Sequence, residues 1–144
     1  MSTFTGLLIR RSQQAHVAAW QRVVSAEITS VQFGVLNVLN SAPGSSQREL
    51  CSQLDLDRST MTDIVQRLQK RGFIERVRHP DDKRRNALAL TPVGKREFDA
   101  LVPKVMRVDQ VLTGGMNEQD ANDLRRLLSL MLSTMDDAAR RQPG

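Results

Sequence analysis

The chain is 144 residues long, 40% hydrophobic and 26% charged, which is a length for one compact domain and a composition that excludes disordered and collagen-like chains. Its four Phe, one Trp and no Tyr leave no row of rings for stacking unpaired bases, and one Cys with two His excludes an intrachain disulfide and a zinc site of ordinary ligand count. The net charge of +5 has one source: from Arg58 to Arg85 nine basic side chains face four acidic ones, while the other 116 residues hold 12 of each. An excess confined to one stretch between neutral flanks is what a polyanion-binding surface requires.

Residues 5–26 place Leu8, Ala15, Ala19 and Val23 at helical spacing. The apolar patch Leu7, Leu8 and Ile9 is cut short by Arg10 and Arg11, and no stretch approaches a membrane span, so a cytoplasmic, nucleoid-associated protein is expected. Thr29 and Gln32 form a capping box, with Ile28 and Phe33 as its hydrophobic staple. The helix they open runs through Val35, Leu36 and Leu39 and stops before Pro43-Gly44.

Ser46-x-x-Glu49 opens a short helix carrying Leu50, Cys51 and Leu54 inward. After a turn, Asp57 caps a helix predicted to run to Arg71, with Gly72 as its stop. Met61, Ile64, Val65 and Leu68 give that helix a core face. The other face offers Ser59, Thr62, Asp63, Gln66 and Lys70, with Arg58 and Thr60 at its open end. Two helices joined by a tight turn, the second with a polar outer face, make a helix-turn-helix.

The period then changes. Residues 73–78 and Asn86–Leu90 read as a two-stranded hairpin with the charged tip His79-Pro80-Asp81-Asp82-Lys83-Arg84-Arg85, which is a wing. Thr91-Pro92 starts another helix, carrying Phe98, Leu101, Val102, Val105 and Leu112, with a kink expected at Pro103 and an end at Gly114-Gly115. Asn117 caps a last helix in which Leu124, Leu127, Leu128, Leu130, Met131, Leu132 and Met135 cover more than one stripe. A helix that apolar needs cover on two sides, so a second subunit is implied. The expected fold is mainly α (α+β): a winged helix-turn-helix with flanking N- and C-terminal helices, divided as residues 1–28, 29–91 and 92–144.

No nucleophile with a base, no carboxylate pair in a cleft and no phosphate loop is present, so an enzyme is not expected and no cofactor is implied. Asp136-Asp137 lies near the C-terminus and Asp81-Asp82 in the wing. A winged helix used for protein interaction is the competing class. Salt separates the two, because DNA binding weakens log-linearly with salt and apolar association does not.

Four segments carry a likeness: Thr29-Ser30-Val31-Gln32-Phe33-Gly34-Val35-Leu36, Leu56-Asp57-Arg58-Ser59-Thr60-Met61-Thr62, Leu68-Gln69-Lys70-Arg71-Gly72-Phe73-Ile74-Glu75-Arg76, and Asp81-Asp82-Lys83-Arg84-Arg85 followed by Leu90-Thr91-Pro92-Val93-Gly94. Collinear from about Thr29 to Phe98, they resemble the MarR family of bacterial transcriptional regulators. The resemblance implies an intertwined homodimer built from the first and last helices, each winged helix meeting half of a palindromic operator in double-stranded DNA. It also implies that Arg84 reaches into the minor groove, with Asp82 suited to orienting it.

On the helix after Asp57, Gln66 suits adenine and Arg58 guanine, with Ser59, Thr60 and Thr62 near bases or phosphates. Asp63 either accepts from cytosine or pairs with Arg67 one turn on, and the pair is favoured. Arg76, Arg78, Lys83 and Arg85 are expected on phosphates, and Arg67 and Lys70 belong to the same expected DNA-binding set.

Relatives commonly respond to small aromatic or anionic molecules bound between the dimerisation region and the winged helix. The run from Leu8 through His16 to Trp20 resembles the branch governing aromatic-compound catabolism. Gln13, His16 and Trp20 share one face of the first helix and could line a pocket for an aromatic carboxylate, although a lone His and Trp also serve as packing residues. Some relatives sense peroxide through a thiol, which makes Cys51 an alternative. Its place on an inward face, with Leu50 and Leu54, argues for a small hydrophobe.

Overall fold

The computed structural model describes residues 3–78, 81 and 86–141, apart from the side chains of Asn86 and Ala139. The elements in chain order are α1 (Thr5–Val23), α2 (Ser30–Ser41), β1 (Ser45–Ser46), α3 (Gln47–Leu54), α4 (Arg58–Lys70), β2 (Ile74–Arg78), β3 (Asn86–Leu90), α5 (Pro92–Leu112) and α6 (Glu118–Arg141). They form two compact units, Met1–Val108 and Asp109–Gly144.

The helix starts sit where side-chain chemistry puts them. Thr29 Oγ1 accepts the Gln32 amide while the Gln32 side chain accepts the Thr29 amide, both at 3.1 Å, a complete capping box. Ser46 accepts the Glu49 amide at 3.1 Å and Asn117 the Asp120 amide at 2.8 Å. Each such cap contributes about 1 kcal/mol. α1 ends at Val23, three residues before the expected end, and α5 continues as one helix through Pro103.

The hydrophobic core of the first unit is where the helix faces meet the sheet. Leu36 and Leu39 of α2, Leu50 of α3, Met61, Val65 and Leu68 of α4 and Leu88 of β3 are fully buried. Each contributes roughly 1.5–3 kcal/mol of burial, which dominates the local terms. All are positions expected inside from periodicity. In the second unit, α6 leaves Leu127, Leu128, Leu130, Leu132 and Met135 exposed.

The sheet has a member the sequence does not announce. The hairpin pairs Ile74 with Leu90 through to Arg78 with Asn86, as the wing reading requires. β1 then adds to its other edge, Ser45 opposite Leu88 and Ser46 opposite Ala87, for an antiparallel order β1-β3-β2. The expected two-stranded wing is therefore two strands of a three-stranded sheet. Two serines carry no β-propensity; long-range pairing makes them a strand.

α5 starts against the end of α4. Thr91 N–H donates to Phe73 O at 3.0 Å, its hydroxyl donates to Gly72 O at 2.5 Å and accepts the Gly94 amide at 3.0 Å. Gly72, at φ +80°, provides the left-handed turn after α4. Gly94 allows the approach, since a Cβ there would lie 1.9 Å from Phe73 O. Backbone cannot yield as a flexible side chain does. Gly94→Ala is expected to destabilise the protein by about 1–3 kcal/mol, read as a lowered midpoint in urea with an unchanged slope.

Candidate nucleic-acid interface

α4 is held at its N-terminus by Asp57, whose Oδ1 accepts the Thr60 amide at 2.7 Å and the Ser59 hydroxyl at 3.1 Å. The Thr60 amide, followed by the Thr60 and Ser59 side chains, keeps the Asp57 carboxyl below the usual carboxylate range. Ser59 and the Thr60 amide are thus occupied as part of the cap.

Thr62 is also in use. Its hydroxyl donates to Arg58 O at 2.8 Å and accepts from Gln47 Nε2 at 2.7 Å, pinning the start of α3 to the middle of α4. Asp63 Oδ2 accepts from Arg67 Nε at 2.9 Å, so the intrahelical pair is the one formed. Both side chains are well exposed, and the pair's worth is a few tenths of a kcal/mol. The side chains of Gln66 and Lys70 are exposed and make no hydrogen bond to another side chain or to the backbone among the described residues.

Two concavities flank α4. One is an open groove of about 490 Å³ against the start of α2, lined by Gln32, Asp63, Gln66, Arg67 and Lys70 with Glu27 and Arg71. Arg71 ties α4 to the segment before α2, with NH1 donating to Glu27 O at 3.2 Å and its guanidinium 4.8 Å over the Phe73 ring. The other is a smaller cleft of about 260 Å³ lined by Gln47, Arg48, Cys51, Arg58 and Arg76. Arg58 therefore joins the second cleft, apart from Gln66. Sequence reasoning missed Gln47 and Arg48; the signal available was a Gln-Arg pair directly after the Ser46 cap, outside the basic stretch.

Arg76 and Arg78 are exposed on β2. The wing-tip residues Asp82, Lys83, Arg84 and Arg85 lie outside the described residues. Cys51 is half-buried and free, its thiol 3.8 Å from Asp57 O.

The three candidate ligand contacts on α1 separate. Trp20 is buried in the core, its indole N–H donating to Ile28 O at 2.6 Å, so that donor is not available to a ligand. His16 is half-buried with its ring edge-on to Trp20 at 5.9 Å, and Gln13 is exposed. Beyond Trp20 the rings continue to Phe33 at 5.8 Å and Phe98 at 5.4 Å, the last pair stacked. Phe33 and Phe98 were expected only as a staple and a core residue.

A recognition-type helix with a capped start, a helix pinned across it and a basic β-hairpin define a winged-helix DNA-binding transcriptional regulator. The MarR family model matches residues 27–85. The transcriptional repressor NicR of Pseudomonas putida is 30% identical over 134 residues, covering 92% of this chain and 85% of NicR. The PcaV regulator of Streptomyces coelicolor, solved with its natural ligand, superposes with a TM-score of 0.81 at 39% identity over 95% of this chain and 94% of PcaV. BpsR of Bordetella bronchiseptica, a structure addressing regulation of DNA binding by 6-hydroxynicotinic acid, gives 0.85 at 29% identity over 91% and 94%. The chain belongs to the MarR family.

The Asp57 cap carries a pH prediction. A carboxyl that titrates lower in the folded than in the unfolded chain contributes stability in full above the unfolded value, and loses it as pH falls through the folded one. Stability of the Asp57→Asn variant, which keeps an acceptor without the charge, is therefore expected to fall less steeply than wild type below the ordinary carboxylate range, and to parallel it at neutral pH. Urea melts at stepped pH measure this.

Proposed function

We propose that the protein is a homodimeric repressor that binds a palindromic operator through α4 and the wing and leaves it when an aromatic acid binds. The observation that carries the reading is the exposed outer face of α4, where the Gln66 and Lys70 side chains stand clear on a helix held at both ends. NicR's name makes it a repressor, and the BpsR structure concerns control of DNA binding by 6-hydroxynicotinic acid. In the dimer two copies of α4 enter successive major grooves about 34 Å apart. Gln66 reads bases, Lys70, Arg78, Lys83 and Arg85 neutralise phosphates, and Arg84, oriented by Asp82, enters the minor groove, where negative potential is concentrated.

The second copy is supported by surfaces in each unit: Phe4 with Leu7, Leu8 and Ile9 of α1, and separately the exposed Leu and Met side chains of α6. Exposed large apolar side chains grouped along a helix mark an interface. The regulator acts where DNA is, in the cytoplasm, and carries no catalytic role; no helix among the described residues is long and apolar enough to cross a membrane.

For the effector, His16 supplies a donor to a carboxylate and the Trp20 ring an apolar wall, with Gln13 at the rim. A hundredfold release needs about 2.7 kcal/mol of preference for the non-binding conformation, within reach of a few buried contacts.

Selection of operator fragments from random duplexes, followed by anisotropy titrations over a salt series, tests the reading. Affinity for the selected sequence is expected to fall steeply and log-linearly with salt. Gln66→Ala is expected to lose about 1–3 kcal/mol at the operator and little on random duplex; equal losses on both would remove Gln66 from base reading. Arg84→Ala weakens the complex while the dimer persists. Among benzoate-like and hydroxynicotinate acids at least one should release wild-type protein from DNA, with His16→Ala unresponsive but still bound. Release that is identical in the His16 variant places the effector elsewhere. Sedimentation checks the dimer, and Leu130→Glu with Leu127→Glu on α6 should give monomers that no longer bind the full palindrome.

A further inference from the structure

We infer that the cleft between α3, α4 and β2 is a seat for a DNA backbone phosphate, and that Arg58 belongs to it and not to base reading. The inference rests on the DNA-binding function proposed above and assigns one part of it. Three arginines, Arg48 of α3, Arg58 of α4 and Arg76 of β2, line one space of about 260 Å³ together with Gln47 and Cys51. No acidic side chain lines it, and none of the three arginines pairs with a carboxylate among the described residues.

Three like charges around one concavity repel one another unless an anion lies between them. The volume sits below the roughly 300–1,000 Å³ of organic-ligand pockets, while a phosphodiester, whose two non-bridging oxygens share one negative charge, suits forked guanidinium donors. Reading a base edge calls for donors and acceptors in a matched pattern, which is the character of the groove on α4's other flank with Gln66 and Asp63. A cleft lined by three arginines offers donors in large excess, lacks that pattern and positions without reading.

The cleft is also rigid where it must be. The Gln47 to Thr62 hydrogen bond fixes α3 against α4, and the row Ser45–Leu88–Arg76 across the sheet places Arg76 two strands from the residue that leads into α3. A phosphate held there registers α4 in the major groove relative to the wing.

Arg48→Gln, Arg58→Gln and Arg76→Gln remove one charge each from exposed side chains and are expected to leave thermal unfolding unchanged. With two clefts per dimer and one phosphate in each, complete loss of the seats would flatten the slope of log affinity against log salt by about 1.8, and each single variant should flatten it by part of that. Affinity should fall at least about tenfold for operator and random duplex alike, leaving their ratio unchanged. Arg48→Lys and Arg76→Lys should restore the slope.

A wild-type protein that binds no duplex overturns the function and the cleft together. Wild-type binding with unchanged slopes in all three variants overturns the cleft alone. A loss in Arg58→Gln confined to operators carrying one particular guanine returns Arg58 to base reading. The source of the phosphate is tested by replacing chloride with inorganic phosphate at constant ionic strength. No displacement of duplex beyond that in chloride is expected; displacement from wild type that Arg48→Gln and Arg76→Gln abolish assigns the cleft to a free anion and overturns the backbone source.

Discussion

The arrangement of α3, α4 and the hairpin depends on one short stretch of backbone pairing, Ser45 and Ser46 against Leu88 and Ala87. Gly44 N–H adds a bond to Leu88 O at 2.9 Å, and both serines are buried. Buried backbone groups without partners cost on the order of 1–3 kcal/mol each, so the pairing is strongly enforced. It joins the hairpin to the residue where α3 begins. Side chains from α3, α4 and β2 can then form one surface instead of three loosely tethered ones.

The same economy recurs around α4. Its start is held by Asp57, its middle by Gln47 through Thr62, and its end by Arg71 on Glu27 and by the Gly72 turn. A helix of 13 residues is marginal in isolation. Fixed at three points and buried along Met61, Ile64, Val65 and Leu68, it presents its outer face without further ordering cost on binding, which is how preorganisation favours affinity.

The segment before α2 has a double role. Ile28 O receives the Trp20 indole and the adjacent Glu27 O receives Arg71. One short turn therefore contacts both α1, where the candidate effector residues lie, and the C-terminal end of α4. Trp20 illustrates the ambiguity of a residue type read alone: its spacing with His16 and Gln13 is compatible with a pocket wall or with packing, and the structure commits its polar atom to packing while leaving His16 half-buried beside it.

Local chemistry was legible in the sequence. The caps at Thr29, Ser46, Asp57 and Asn117, the core face of α4 and the Asp63–Arg67 pair each depend on residues within about a turn or two of one another, and the hairpin on two segments adjacent in the chain, where propensity, capping and periodicity act directly. What sequence reading could not reach is whatever depends on residues far apart in the chain. β1 has no propensity of its own, Gly94 is needed only because Phe73 passes beside it, and Arg48 meets Arg58 and Arg76 only after the sheet and the Gln47 bond have closed. Short-range order comes from side chains competing for the nearest backbone groups, whereas these convergences exist only once long loops have closed and the core has excluded water.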